Sequence, residues 1–423
     1  MNLPLPPGSR IMLVDPPFFR LFGYSRWHYP VTLTVVGSYL RERGYEVCVY
    51  DADKPTADCR SLGRGEVRDN YHLYKEALAD DDHPVWAEIM EAIRRFQPDA
   101  IGLTATTAQS PSAAVVARKT KQLFGRSVKV FLGGSHVDGM LHHDPSFPFG
   151  DCYDFVVPKE ATTFAAIFDR KPQRRLIAGL DQYAPNNLAS LLTSVGCPNR
   201  CTFCYHSLDR CFVYRDPDNI RAELEEILAI AGDVSKVMIL DHCLFSNPNH
   251  YRAVTAILKD VGLPFTAGSR VMALTPEKIA AFLECGGTKL NIGIESGSQG
   301  ILDRVEKRLS IDDIVQRTQW INDAGIPWMA YIIVGFPFET VDDLKLTEEL
   351  IYRINPTFVS INRFTPYPGT VIYEELFKDA KFDFTDLFQL DSSGCLASDD
   401  AVEQYIDHLY QTFDQYNLAR SAD

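Results

Sequence analysis

The chain has 423 residues, enough for two domains with their own cores, and its 46% apolar and 23% charged content is that of a globular protein. A formal charge of −14 argues against backbone-phosphate binding, and so against nucleic acid as a partner. Apolar runs such as Ala113 to Ala117 and Trp328 to Gly335 are too short to span a bilayer, and the first residues lack the basic and apolar regions of a signal peptide, so a cytoplasmic protein without a membrane partner is expected.

In chain order, Ile11 to Val14 is predicted as a strand ending at Asp15, Pro30 to Arg43 as a helix stopped by Gly44, and Glu46 to Tyr50 as a strand ending at Asp51. Residues 54 to 85 carry many charges and little apolar periodicity before Tyr71, and are expected as an excursion over the surface or the domain interface. Then follow a helix from Trp86 to Phe96, a strand at Ala100 to Leu103 running into Thr104, a helix from Ser112 to Phe124, a strand from Val128 to Leu132 running into Gly133-Gly134-Ser135-His136, and a short strand at Phe155 to Val157. Such βα alternation argues a parallel sheet in a Rossmann-like domain over residues 1–175, with ligands at the carboxyl ends of its strands. Thr104, Gly133 and Gly134 stand at those ends, and His136, His142 and His143 beside the turn are expected to be solvated or hydrogen-bonded.

Residues 176–188 suit a linker. A second βα series over 189–385 has strands at 190–193, 236–240, 264–268, 289–294, 328–334 and 358–364, which gives six units of a (β/α)6 partial barrel. Residues 386–423 are predicted as a tail with one docked helix, Ala401 to Leu418, too small for a substrate domain of its own.

After the first barrel strand stands Cys197-Pro198-Asn199-Arg200-Cys201-Thr202-Phe203-Cys204, a C-x3-C-x2-C spacing. Three thiolates gathered on one loop can hold three irons of a [4Fe–4S] cube and leave the fourth iron open to a cofactor. A zinc site with His206 as fourth ligand is the alternative. Cys48, Cys59, Cys152, Cys211, Cys243, Cys285 and Cys395 are scattered and expected to be small buried residues.

The cysteine spacing, with Phe203 before the third cysteine, resembles the radical S-adenosylmethionine (SAM) superfamily. Three further segments are similar to its members. Ile292-Gly293-Ile294-Glu295-Ser296-Gly297 looks like the fourth-strand motif facing SAM, Ile332-Ile333-Val334-Gly335-Phe336-Pro337 like the element whose backbone meets the adenine, and Pro366-Tyr367-Pro368-Gly369 like the closing motif of cobalamin-type members. The first domain resembles the cobalamin-binding domain that precedes many radical SAM barrels. It lacks the Asp-x-His-x-x-Gly segment of classical cobalamin proteins and has Pro158-Lys159-Glu160-Ala161 where relatives show Gly-Glu-Gly-Glu.

The resemblance implies a [4Fe–4S] cluster on Cys197, Cys201 and Cys204. It implies SAM contacts from Phe203, Arg270, Glu295, Ser296, Ile333 and Gly335, with Asp241 in place of the usual glutamate for the SAM amine, and a corrin face at Thr104, Gly133 and Gly134 if cobalamin binds. It also implies a small-molecule substrate such as a sugar or natural-product intermediate, and an electron donor such as a flavodoxin or ferredoxin. The reaction is then hydrogen abstraction by a 5′-deoxyadenosyl radical. Two outcomes stay open: cobalamin-dependent methyl transfer, or a cobalamin-independent dehydration of the kind known from apramycin-pathway radical SAM dehydratases, with Tyr205 or Tyr214 as proton donor. An iron–sulfur sensor or electron carrier is the non-enzyme alternative.

Overall fold

The structure is a computed structural model that describes residues 4–26, 28–159, 161–207, 212–389 and 399–421. Cys211, Cys395 and Glu160 lie outside the described residues.

Two parallel sheets organise the chain. The first has five strands, β1 (Arg10–Asp15), β2 (Glu46–Asp51), β3 (Ala100–Thr104), β4 (Lys129–Gly133) and β5 (Phe155–Val156), in the order β2-β1-β3-β4-β5. Apolar layers cover both of its faces, one built on Ile89, Ile93, Val116 and Ile101, the other on Leu40, Val35 and Ile11. Residues with both faces buried read as continuous apolar runs, as β1 and β4 do.

The second sheet is formed by β6 (Ser190–Leu191), then, after a small antiparallel hairpin of β7 (Ser194–Val195) and β8 (Val213–Tyr214), by β9 (Val237–Ile239), β10 (Phe265–Arg270), β11 (Gly287–Glu295), β12 (Trp328–Val334) and β13 (Phe358–Arg363). Its six strands lie side by side in sequence order, all parallel, as expected of a (β/α)6 partial barrel. The first barrel strand is shorter than predicted because Thr193 and Ser194 turn off into the hairpin, which frames the cysteine loop.

Two departures from the sequence-based expectation matter. Residues Arg64–Ala79 form a 16-residue helix, begun by the Glu66 carboxylate accepting from the Gly63 N–H. This helix reaches across the domains: Arg64 donates to the Ser360 hydroxyl at 2.8 Å, and Arg68 to Asp407 at 2.7 Å.

The second departure is the segment expected as a linker, which is docked. Ala178 N–H donates to the Val49 carbonyl beside β2. Arg174, just ahead of it, is fully buried and donates to the Leu188 and Ser190 carbonyls and to Glu223. Arg215 reaches the other oxygen of the same carboxylate, also from a fully buried position.

The helix of the tail, Asp400–Ser421, docks on the barrel and buries Val402, Ile406, Leu409 and Phe413 in its core. Its Asn417 accepts from the Val359 N–H and donates to the Val359 carbonyl on β13, both at 2.8 Å.

Candidate functional site

The carboxyl ends of the barrel strands surround one cavity of about 400 Å3. Cys197, Cys201 and Cys204 form one wall, with Phe203 and His206. Leu240, Asp241 and His242 enter from the end of β9, Arg270 from β10, Asn291 and Glu295 from β11, Tyr331 from β12 and Lys307 from the loop beyond β11. Of the residues expected from the sequence, the structure therefore gathers the three cysteines, Phe203, Asp241, Arg270 and Glu295. This follows from parallel strands ending at one rim.

The cysteine loop is pinned at both sides. Thr202 N–H donates to the Val305 carbonyl, and its own carbonyl accepts from the Ile372 N–H. Ahead of it, the Asp241 carboxylate accepts from the Thr193 N–H and hydroxyl, both at 2.6 Å, and from the Ser194 hydroxyl at 2.5 Å. That work corrects its expected role: both oxygens hold the strand that feeds the cysteine loop, and burial raises the carboxyl against the pull of these bonds.

The three thiols sit in unlike surroundings. Cys197 is drawn down to about 5, first by its hydrogen bond with the Cys243 thiol. Cys204 is pushed up to about 12 by burial. Cys201 accepts from the Arg270 guanidinium at 3.6 Å. Among the described residues no three Cys, His, Asp or Glu side chains converge on a single-ion site, which is what a zinc centre requires. Thiolates of a cubane stand on separate irons, and three thiols lining one cavity, with a guanidinium at Cys201, suit that set. Cys243 is buried as a small core residue and also abuts the Cys197 thiol; nothing in its position two residues past Asp241 announced the contact.

The Arg270 guanidinium also donates to the Lys307 carbonyl at 2.5 Å, and Lys307 Nζ donates to Glu295 Oε1 at 2.5 Å. Sequence reasoning missed Lys307. Gly293 leaves the space this pair needs: a Cβ there would stand 2.4 Å from Glu295 Oε1 and 3.1 Å from Lys307 Nζ. His206 and His242 pack ring on ring at 3.7 Å, and burial brings His206 down to about 3.

Other expected residues stand outside the cavity lining. The Ser296 hydroxyl meets Thr347 and accepts from the Ser298 N–H, so it braces the turn after β11. Ile333 packs with Phe336 and Phe364. The Gly335 N–H, expected to face a ligand, is taken by Glu339 at 2.5 Å. The Tyr205 hydroxyl donates to the Ser135 carbonyl of the first domain, and Tyr214 stacks near His250 at 4.8 Å with 37% of its surface exposed, so neither phenol is placed as the expected proton donor. His136 is buried among Phe149 and Phe384 rather than solvated, and burial lowers it to about 4.

Two family models match the chain: the radical SAM superfamily over residues 191–351 and the B12 binding domain over residues 25–167. The chain carries a radical SAM domain and a B12-binding domain. An uncharacterized methyltransferase of Pyrococcus horikoshii is 26% identical over 344 residues, covering 71% of this chain and 73% of that protein. The anaerobic magnesium-protoporphyrin IX monomethyl ester cyclase of Rubrivivax gelatinosus is 29% identical over 190 residues, 43% of this chain and 33% of that one. Among solved structures, the radical SAM methyltransferase TsrM from Kitasatospora setae aligns with a TM-score of 0.62 at 14% identity, over 86% of this chain and 75% of its own, a likeness of fold.

The radical SAM match implies a [4Fe–4S] cluster and SAM, and the B12-binding match supports cobalamin. The cavity and its thiols fit the first two. At the corrin face the geometry is tighter than the sequence suggested. Gly134 has φ +100, and a Cβ there would lie 2.7 Å from Ala105 backbone atoms and 2.9 Å from Thr104 Oγ1. A Cβ on Gly133 would touch the Val157 carbonyl at 3.4 Å. The glycine pair thus serves close approach of the chain to itself. The helix that follows, Ser135–His143, rests on the barrel, with a Gly139 Cβ position 2.6 Å from the Pro368 carbonyl. The Tyr205 hydroxyl bonds the Ser135 carbonyl, so the helix after the glycine turn is tied to the cysteine loop. Among the described residues no helix is long and apolar enough to cross a membrane.

Proposed function

We propose that this enzyme abstracts a hydrogen atom from a small polar substrate bound at the barrel mouth. The single observation that carries this reading is the cavity of about 400 Å3 in which three thiols, Arg270 and the Glu295–Lys307 pair face one another. When bound, the cluster and SAM supply a 5′-deoxyadenosyl radical. Cys197, Cys201 and Cys204 would hold the cluster. The Arg270 guanidinium, beside Cys201, would receive the SAM carboxylate through charge-assisted hydrogen bonds. A redox-neutral outcome such as dehydration would use the cluster, SAM and these residues alone. An electron donor of the flavodoxin or ferredoxin class supplies the electron.

The test is anaerobic reconstitution followed by strong reduction with SAM and measurement of 5′-deoxyadenosine. SAM bound tightly yet never cleaved would instead make the chain a sensor or electron carrier. Cobalamin-dependent methyl transfer is the second reading, favoured by the B12-binding match and by the methyltransferase relative. A corrin absorption band in the reconstituted protein supports it; turnover with no corrin present excludes it.

A further inference from the structure

Five residues other than glycine have positive φ among the described residues. Gln97 and Asn355 are the left-handed caps that end two helices, an ordinary use of that conformation. The other three are Glu295 (φ 72), Glu306 (φ 51) and Arg308 (φ 55). Glu295 sits where the pairing of β11 with β12 shifts register, and Glu306 and Arg308 flank Lys307. Non-glycine residues in this region are strained, and strain persists where the surroundings over-determine it, typically at ligand sites. Here it converges on one side chain. Lys307 is 4% exposed although it stands between two other charged residues in the sequence, Glu306 and Arg308.

The strained arm makes three connections. Val305 accepts from Thr202 in the cysteine loop. The Lys307 carbonyl accepts from Arg270 at 2.5 Å. The Lys307 ammonium donates to Glu295 at 2.5 Å. Among the described residues Glu295 is its ion-pair partner, and both residues line the cavity.

We infer that Lys307 is the positioning residue of the SAM site, fixing Glu295 through its side chain and Arg270 through its carbonyl. The inference rests on the reading that this cavity takes SAM. The two attachments are separable, because substitution of the side chain removes the hold on Glu295 and leaves the carbonyl in place. Lys307 therefore acts through Glu295, and the two side chains form one unit in SAM binding.

The experiment measures SAM affinity by equilibrium dialysis, with iron content, in reconstituted wild type, Lys307→Met, Glu295→Gln and the double variant. The expected result is unchanged iron, a SAM dissociation constant raised at least tenfold in each single variant, and no further loss in the double variant, since residues acting as one unit are not additive. Lys307→Arg, which keeps the charge, recovers part of the affinity. Equal affinity in wild type and Lys307→Met overturns the inference, and so do additive losses, which would mean that Lys307 acts independently of Glu295. If Lys307→Met fails to take up iron, the milder Glu295→Gln decides: wild-type affinity there overturns it. A wild type that holds its iron but binds no SAM fails the functional reading itself, an outcome distinct from all of these.

Discussion

Replacing Glu223 by glutamine tests how the barrel entrance is held. Glu223 lies between Arg174 and Arg215, at 2.8 and 2.5 Å, and all three side chains are fully buried. The set carries two positive charges and one negative. Glutamine preserves the volume but leaves two cations with no counter-charge, and breaking a buried ion pair in this way costs about 3–5 kcal/mol. For a unit of roughly 200 residues, each kcal/mol shifts the midpoint by about 2–4 °C, so the barrel transition should fall by roughly 6–20 °C. Arg215 also continues the hairpin around the cysteine loop, its N–H donating to the Thr193 carbonyl. Iron uptake should therefore weaken along with stability. Circular-dichroism melts of the cluster-free protein, paired with iron analysis after reconstitution, read both effects. A midpoint within about 2 °C of wild type would refute the argument, because that is the scale of an exposed pair worth about 1 kcal/mol or less.

Cys201→Ala should lose the cluster and all SAM cleavage; full iron retention would sink the cluster assignment. Arg270→Ala should weaken SAM binding by roughly 2–5 kcal/mol if the guanidinium is desolvated in the complex, read by equilibrium dialysis, and an unchanged affinity would show that the carboxylate lies elsewhere. Asp53, fully buried with Asp15, Asp51 and Arg26, has its carboxyl raised from 3.8 to about 7, chiefly by burial. The folded state then holds a proton that the unfolded state gives up, so the group costs stability as pH rises through that window. Asp53→Asn should gain in midpoint relative to wild type between pH 5 and pH 8, and a difference that does not change with pH would contradict this. Gly134→Leu should fail by misfolding the first domain, not by blocking a ligand alone, because the new side chain meets Ala105 backbone; wild-type thermal stability would disprove that packing.

The parallel strands were legible because apolar runs with both faces buried alternate with amphipathic helices, and β11 and β12 fall within a residue or two of their expected spans. The helix Arg64–Ala79 was also written in the sequence, at Val67, Tyr71, Tyr74 and Leu78, but charges between those positions masked the spacing. Lys307 could not be found that way. In Glu306-Lys307-Arg308 it looks like solvated charge, and its burial comes from left-handed backbone that no glycine marks. Asp241 was placed correctly at the rim, yet its partners Thr193 and Ser194 come from a hairpin too short to predict. The role of Gly134 depended on where Thr104 and Ala105 run, which is tertiary information.

An open barrel has a last strand with an unpaired side, and such a side is a template for any other extended chain. Here the amide of Asn417 answers both backbone groups of Val359, as a neighbouring strand would, the Arg363 N–H donates to the Gln389 carbonyl, and the helix bearing Asn417 packs against β13. The final helix is thus a guard against intermolecular strand addition. Shortening the chain before Asp400 would release an adhesive edge as well as stability, and aggregation rather than simple unfolding should mark the truncated protein.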